Sequence, residues 1–147
     1  MRTLTGELWA PTTKGDPDAR AMYFRHYSSQ KRPAHADPVQ FVGPGECLVL
    51  IRNDAVFVWR LAIDDCPLGD GVNCAIFRNE GAVLSSDLIR EADEHADRRW
   101  PSERRHYTYI NPKKIRSTNP GFCFLAAGWA RCGQTAKGLL VLERITR

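Results

Sequence analysis

The chain has 147 residues, 43% hydrophobic and 26% charged, the size and balance of one globular domain with one core. Its net charge of +4 is uneven: residues 98–147 hold eleven Lys/Arg against two acidic residues (+9), whereas residues 1–97 hold ten against fifteen (−5), a polarity suited to nucleic acid or a phosphate-bearing cofactor. No apolar run reaches the roughly 18 to 20 residues of a membrane span, and Met1 to Lys14 lacks a basic-then-apolar signal pattern, so a cytosolic protein is expected.

Residues 1–20, with Pro11, Gly15 and Pro17, predict an irregular arm carrying a short strand near Leu4 to Trp9. Ala21 to Ser29 mixes aromatic and polar residues without a period and is either a helix or a site loop; Gln30 to Pro38 is a loop. Glu46–Arg52 and Ala55–Ile63 predict two strands joined at Asn53-Asp54, residues that accept positive φ in a two-residue hairpin turn. After a loop over Asp64–Gly71, an apolar strand is expected from Val72 to Phe77, ending at Arg78-Asn79-Glu80-Gly81.

The strongest helix signal follows. Leu88, Ile89, Ala92, Ala96 and Trp100 recur at helical spacing, with Arg90, Glu91, Asp93, Glu94 and Asp97 on the other face. Ser85 or Ser86 is expected to cap its start, Asp87 suits the first turn, Arg98 and Arg99 suit the last, and Pro101 stops it. Arg105–Ile110 predicts a strand, Pro120–Ala127 a short helix capped by Asn119 and ended by Gly128. Trp129–Cys132 and Leu139–Ile145 predict a last hairpin. This order, neither alternating βαβ nor all-β, predicts a mixed sheet with few helices in one α+β domain over residues 1–147.

Cys47, Cys66, Cys74, Cys123 and Cys132 are odd in number and show no C-x-x-C, which argues against a disulfide framework or a zinc ribbon. Cys74 and Cys123 are expected to be buried. Among titratable residues, Glu80 at the tip of an apolar strand is a candidate general base, and His26 with Tyr27 a candidate proton-handling pair, although a histidine in an aromatic run is more often simply packed. His35, His95 and His106 are expected to be structural or exposed. Lys113, Lys114 and Arg116, with Arg104 and Arg105 before the tyrosines, form a basic set able to neutralise DNA phosphates or a cofactor pyrophosphate. Tyr107, Tyr109 or Trp129 could stack on an extruded base.

The stretch Asn119-Pro120-Gly121-Phe122-Cys123-Phe124-Leu125-Ala126-Ala127-Gly128-Trp129 resembles the late helix of GNAT acetyltransferase-like proteins, with Phe124 and Gly128-Trp129 as the aromatic and the Gly-aromatic pair that pack near the cofactor thioester. In that family a pyrophosphate loop, Q/R-x-x-G-x-G/A, follows the strand that Phe77 ends; this chain has Arg78-Asn79-Glu80-Gly81-Ala82-Val83-Leu84-Ser85-Ser86 there. Phe124 also stands where a tyrosine often serves as general acid, so it has no proton to donate.

His26-Tyr27-Ser28-Ser29, Arg78-Asn79-Glu80, Ser85-Ser86 and Tyr109-Ile110-Asn111-Pro112 with its basic run resemble a divergent GNAT branch, the Mom-type DNA modification proteins of Mu-like phages, over roughly residues 23–143. The resemblance implies a GNAT-like, mostly antiparallel twisted sheet and modification of adenine at its exocyclic nitrogen, shielding phage DNA from restriction. It implies catalytic roles for His26, Tyr27, Glu80 and Tyr109. Arg78, Asn79, Ser85, Ser86, Asn119 and Phe124 would bind an acyl-CoA or another small acyl or alkyl donor. Lys113, Lys114, Arg116, Arg104 and Arg105 would bind double-stranded DNA. No metal-ligand spacing is present, and the oligomeric state is open, a homodimer included. Two other readings compete: a GNAT acetyltransferase of a protein or small-molecule amine, and a non-catalytic DNA-binding or counter-defence protein.

Overall fold

The computed structural model describes residues 7–25, 45–61, 71–114 and 121–146. Its elements in chain order are β1 (Ala10–Thr12), α1 (Pro17–Arg25), β2 (Cys47–Arg52), β3 (Ala55–Leu61), β4 (Val72–Asn79), α2 (Ser85–Arg99), β5 (Arg105–Ile110), a 3₁₀ turn (Pro112–Lys114), α3 (Phe122–Ala126), β6 (Ala130–Gln134) and β7 (Leu140–Ile145). The seven strands form one sheet in the order β1-β2-β3-β4-β5-β7-β6. Every pairing is antiparallel except β4 with β5, whose parallel connection is carried by α2. This is the α+β architecture expected from the sequence: a mixed, mostly antiparallel sheet flanked by few helices.

Alternation along β3 explains the two layers. Ala55, Phe57 and Trp59 point to the α2 and α3 side, where they join Trp9, Leu88, Ile89, Ala92, Phe124, Trp129 and Leu142 in the main core. Val56 and Val58 point the other way and pack with Val49 and Ile76 under Ala19 and Met22 of α1. The Trp59 indole is fully buried and donates Nε1–H to the Ala92 carbonyl of α2 at 2.9 Å, so its polar atom has a partner inside the core.

Several boundaries differ from the sequence expectation, each for a local reason. The arm contains a helix: Asp16 Oδ1 accepts the N–H groups of Asp18 and Ala19 at 2.9 and 3.0 Å, and Pro17 occupies the first helical position. The described strand of the arm is Ala10–Thr12, paired with β2; residues 7–9 of the expected Leu4–Trp9 strand are not in a strand, and its first three residues lie outside the described ones. Neither Ser85 nor Ser86 caps α2; Leu84 holds the N-cap position and has no polar side chain to cap with, and the Ser85 hydroxyl instead accepts from the Asn79 amide at 3.0 Å. The short helix begins at Phe122 after Gly121, whose φ of 82° lies in the left-handed region; Asn119 and Pro120 are outside the described residues.

The polar face expected for α2 is also not wholly exposed. Glu91 and Asp93 are both buried. Glu91 Oε2 accepts the backbone N–H of Leu8 at 2.6 Å and of Trp9 at 2.8 Å, while Trp9 Nε1 donates to the Leu88 carbonyl at 2.8 Å; together these fasten the segment before β1 to the helix. Asp93 Oδ1 meets His106 Nδ1 at 2.7 Å, and Asp93 Oδ2 accepts Trp129 Nε1–H at 2.9 Å. A carboxylate buried with two donors avoids most of the desolvation cost that an unpaired one would carry.

Candidate functional site

The parallel pair β4–β5 is short. Val72, Asn73 and Cys74 pair with His106, Tyr107 and Thr108, and pairing stops there. β4 runs on through Ala75–Asn79 and β5 through Tyr109 and Ile110 without a further rung between them. Two strands of the same sheet thus part at the Cys74–Thr108 rung. Thr108 Oγ1 closes that apex by donating to the Cys74 carbonyl at 3.1 Å. On the other edge of β4 the register with β3 slips at the same point: Val58 faces Ile76 and Trp59 faces Cys74, leaving Ala75 as the extra, exposed residue of a bulge.

On the α2 side of the sheet, aromatic rings pack in the core beside this divergence. Phe77 meets Phe124 edge-on at 6.2 Å, and Phe124 lies against Trp129 at 4.8 Å. Trp129 is buried and held through its indole N–H by Asp93, so it is a wall of the core and not a free stacking surface. Burial pushes the Cys74 and Cys123 thiols up, and both stay protonated at neutral pH, unlike a nucleophilic thiolate.

The tip of β4 is a locked turn. Asn79 Nδ2 donates to the Val83 carbonyl at 2.7 Å and to Ser85 Oγ, and Asn79 Oδ1 accepts the Gly81 N–H at 2.9 Å. A Cβ at Gly81 would fall 1.9 Å from Asp54 Oδ2, so this glycine lets the turn close onto the β2–β3 hairpin. Counted from Arg78, the turn carries R-x-x-G, with Val83 at the last position of the Q/R-x-x-G-x-G/A pattern. Arg78 Nε pairs with Glu80 Oε2 at 2.7 Å. Ser85 and Ser86 open α2, whose N-cap has no side-chain acceptor.

The expected site residues therefore separate into groups. Arg78, Asn79, Glu80, Ser85 and Ser86 share the end of the sheet to which β4 and β5 both run, as do Lys113 and the Lys114 backbone in the 3₁₀ turn after β5. Tyr109 lies one residue beyond the apex, edge-on to Tyr107 at 5.6 Å. Glu80 is six residues past Cys74, roughly 20 Å along an extended strand, so it and Tyr109 are not brought to one point.

Arg104 and Arg105 are at the start of β5, about 17 Å of strand from the lysine turn. Arg105 is committed to Glu143 at 2.7 Å and lies 4.6 Å over the Tyr107 ring, while Arg104 Nε donates to the Thr146 carbonyl. His26, Tyr27, Arg116 and Asn119 lie outside the described residues. Among the described residues no group of three or more His, Cys, Asp or Glu side chains is gathered as a metal site, and no helix is long and apolar enough to cross a membrane.

One polar residue at the apex had no reading from sequence. Asn73 sits in a strand that reads as apolar, and its Oδ1 is shut off from solvent with no hydrogen-bond partner. Leaving such an acceptor unpaired costs about 1–3 kcal/mol. The signal was a single amide inside Val72–Phe77, two residues before the bulge.

No family model matches the sequence, and no curated protein matches it. Among solved structures, the aminoglycoside acetyltransferase AAC(6')-Ib, determined in complex with coenzyme A, is similar with a TM-score of 0.47 at 17% identity, over 67% of this chain and 65% of that one. The chain thus spans just under two thirds of that enzyme's chain.

Proposed function

We propose that this chain is a GNAT-like group transferase of the Mom type, moving a small acyl-derived (carbamoylmethyl-type) group onto the exocyclic N6 of adenine in duplex DNA. The observation that carries the reading is the parallel β4–β5 pair that parts beyond Cys74 and Thr108, with the start of α2 at its open end. Such an opening suits a slender donor with one anionic end. Because the carbamoylmethyl carbon is a methylene, its transfer needs a small alkyl-type donor from which the amine displaces a leaving group at that carbon, with loss of the N6 proton; an acyl-CoA would instead give an amide and release the coenzyme A thiol.

In this reading the chain's residues divide the work along the opening. The backbone amides of Ser85 and Ser86, uncapped at the positive end of a 15-residue helix, receive the anionic end of the donor. Arg78 adds a cation there, held in place by Glu80. Asn79 fixes the turn that presents those amides. Phe77 and Phe124 exclude water from the donor's apolar stretch. Tyr109, one residue past the apex on its open side, is the phenol assigned to the reacting amine, and His26 and Tyr27 are proposed to handle its proton. Lys113 and Lys114, with Arg116, neutralise DNA phosphates at the mouth; Asn119 completes the donor site.

The exocyclic amine of adenine shares its lone pair with the ring and is a weak nucleophile, so the site must align it and drain its proton as the new bond forms. The test is nucleoside mass analysis of total DNA from bacteria expressing the protein. An adenosine adduct is the expected outcome. Unmodified nucleosides only, with soluble folded protein confirmed, would refute the DNA reading. A second reading, N-acetylation of a protein or small-molecule amine, is favoured by the retained Arg78–Gly81 spacing; acetyl-CoA turnover with such an amine and no DNA adduct would select it.

A further inference from the structure

Residues 104–142 hold seven Lys/Arg and no Asp or Glu, so the chain from the start of β5 into β7 carries unopposed positive charge. The sheet decides where that charge goes. β5 and β6 both pair antiparallel with β7, so they run in the same direction, and Ile110 and Gln134 face Leu140 from its two sides. Lys113 lies three residues past Ile110 and Lys137 three residues past Gln134, and both are exposed. Two strand spacings, roughly 10 Å, separate the strands that carry them. The acidic residues bordering the stretch lie at the opposite end: Glu143 faces Tyr107 and pairs with Arg105, and Glu103 precedes β5. Among the described residues neither lysine meets a carboxylate. The turn between β6 and β7 is itself well tied. Thr135 N–H donates to the Leu139 carbonyl at 2.8 Å, Gly138 N–H to the Thr135 carbonyl at 2.9 Å, and Leu139 N–H to Thr135 Oγ1 at 3.1 Å. Gly138, at a φ of 86°, closes it. None of these bonds uses the Lys137 side chain, which is left to solvent.

We infer that Lys137 is a phosphate contact for the DNA acceptor, so that the docking surface runs from Lys113 across the end of β7 to the β6–β7 turn; this rests on the reading above that the acceptor is duplex DNA. The placement sets this lysine apart from the donor. In that reading the donor's anionic end meets the start of α2, beside the tip of β4, and β4 is three strand spacings, roughly 14 Å, from β6. Cations carried on strands about 10 Å apart suit a repeating polyanion better than one small anion, and a phosphodiester backbone presents charge repeatedly along its length. A lysine on a hydrogen-bonded turn also has less backbone freedom to lose on binding than one on a loose loop.

The test is the salt dependence of binding to a fluorescein-labelled, adenine-containing duplex, followed by fluorescence anisotropy. Lys137→Gln should reduce the slope of log affinity against log salt by about one, so that its deficit grows roughly eightfold between 1 M and 0.1 M salt. Its thermal midpoint should match the wild type, because the turn is held by backbone groups and Thr135. Lys137→Arg should keep the wild-type slope. So should Lys14→Gln, which removes a cation just past β1, the strand at the other edge of the sheet. An unchanged slope in Lys137→Gln, an equal loss in Lys14→Gln, or no wild-type binding of the duplex would overturn the inference. Displacement by polyglutamate as effective per charge as by unlabelled duplex would overturn it too, in favour of an acidic protein partner. Nucleoside analysis separates this from the transferase reading. An adenosine adduct with an unchanged Lys137→Gln slope removes only the role of Lys137, whereas a reduced slope without an adduct keeps the docking surface and removes only the DNA chemistry.

Discussion

Asp93→Ala tests whether the buried carboxylate beneath β5 holds the core around the proposed cleft. The substitution strips the partner from His106 Nδ1 at 2.7 Å and from Trp129 Nε1 at 2.9 Å, both inside the protein. His106 is left with Asp97 Oδ1 at 3.3 Å, and Arg144, 3.8 Å from Asp93, retains Asp97 at 3.4 Å. Removing one member of such a buried group typically costs about 3–5 kcal/mol, a large part of the roughly 5–15 kcal/mol that holds a domain together. At a urea m-value of about 2 kcal/mol per molar, the midpoint should fall by roughly 2 M.

Asp93→Asn keeps one acceptor oxygen and turns its amide toward the second donor, so about half the loss is expected. Urea unfolding followed by far-UV circular dichroism and by tryptophan fluorescence measures both, and the asparagine variant stays readable if the alanine variant is unfolded. A cycle with His106→Ala should show coupling above about 1 kcal/mol. An Asp93→Ala loss below about 1 kcal/mol, or additivity in the cycle, would refute the assignment of this carboxylate as the anchor of Trp129 and, through it, Phe124.

Three further outcomes follow from the geometry. Asp16→Ala removes the cap of α1 and should cost about 1–2 kcal/mol in the same unfolding assay. The Thr12 hydroxyl, opposed by burial and helped by the capped amides, holds the Asp16 carboxyl below its ordinary range, so the cap's contribution is present above 3.8 and lost as the pH falls through the lowered value. Burial, with Arg98 adding and Glu91 opposing, holds His95 below its ordinary 6.5. The unfolded chain then takes up a proton that the folded chain resists, so stability is full above 6.5 and declines as the pH falls toward the lowered value; His95→Gln should flatten that limb of a pH–stability curve. Lys113→Ala with Lys114→Ala should reduce the salt slope of duplex binding by about two if both meet phosphates, and an unchanged slope assigns that turn elsewhere.

Local chemistry alone determined much of the scaffold. β5 matches its predicted bounds, α2 spans the expected helix, and the Asn53-Asp54 turn joins β2 to β3 as read, because period, caps and turn residues act over a few neighbours. The helix α1 was legible too, in Asp16-Pro17, but its weak amphipathic pattern concealed it. The rest depends on residues far apart in sequence. Glu91 and Asp93 read as solvent-facing because their partners are Leu8, Trp9, His106 and Trp129, brought to α2 only by packing. Placement of the resemblance-derived residues behaves the same way. The turn after Phe77 and the lysines after Ile110 reach one end of the sheet because β4 and β5 run parallel, whereas Arg105 and Lys113, near in sequence, are separated by the length of β5. The opening itself is a matter of register: three rungs pair, and no periodicity in either strand says that a fourth does not. Tertiary structure also made Asn73 visible, since an amide in a strand is ordinary until its burial and its missing partner are known.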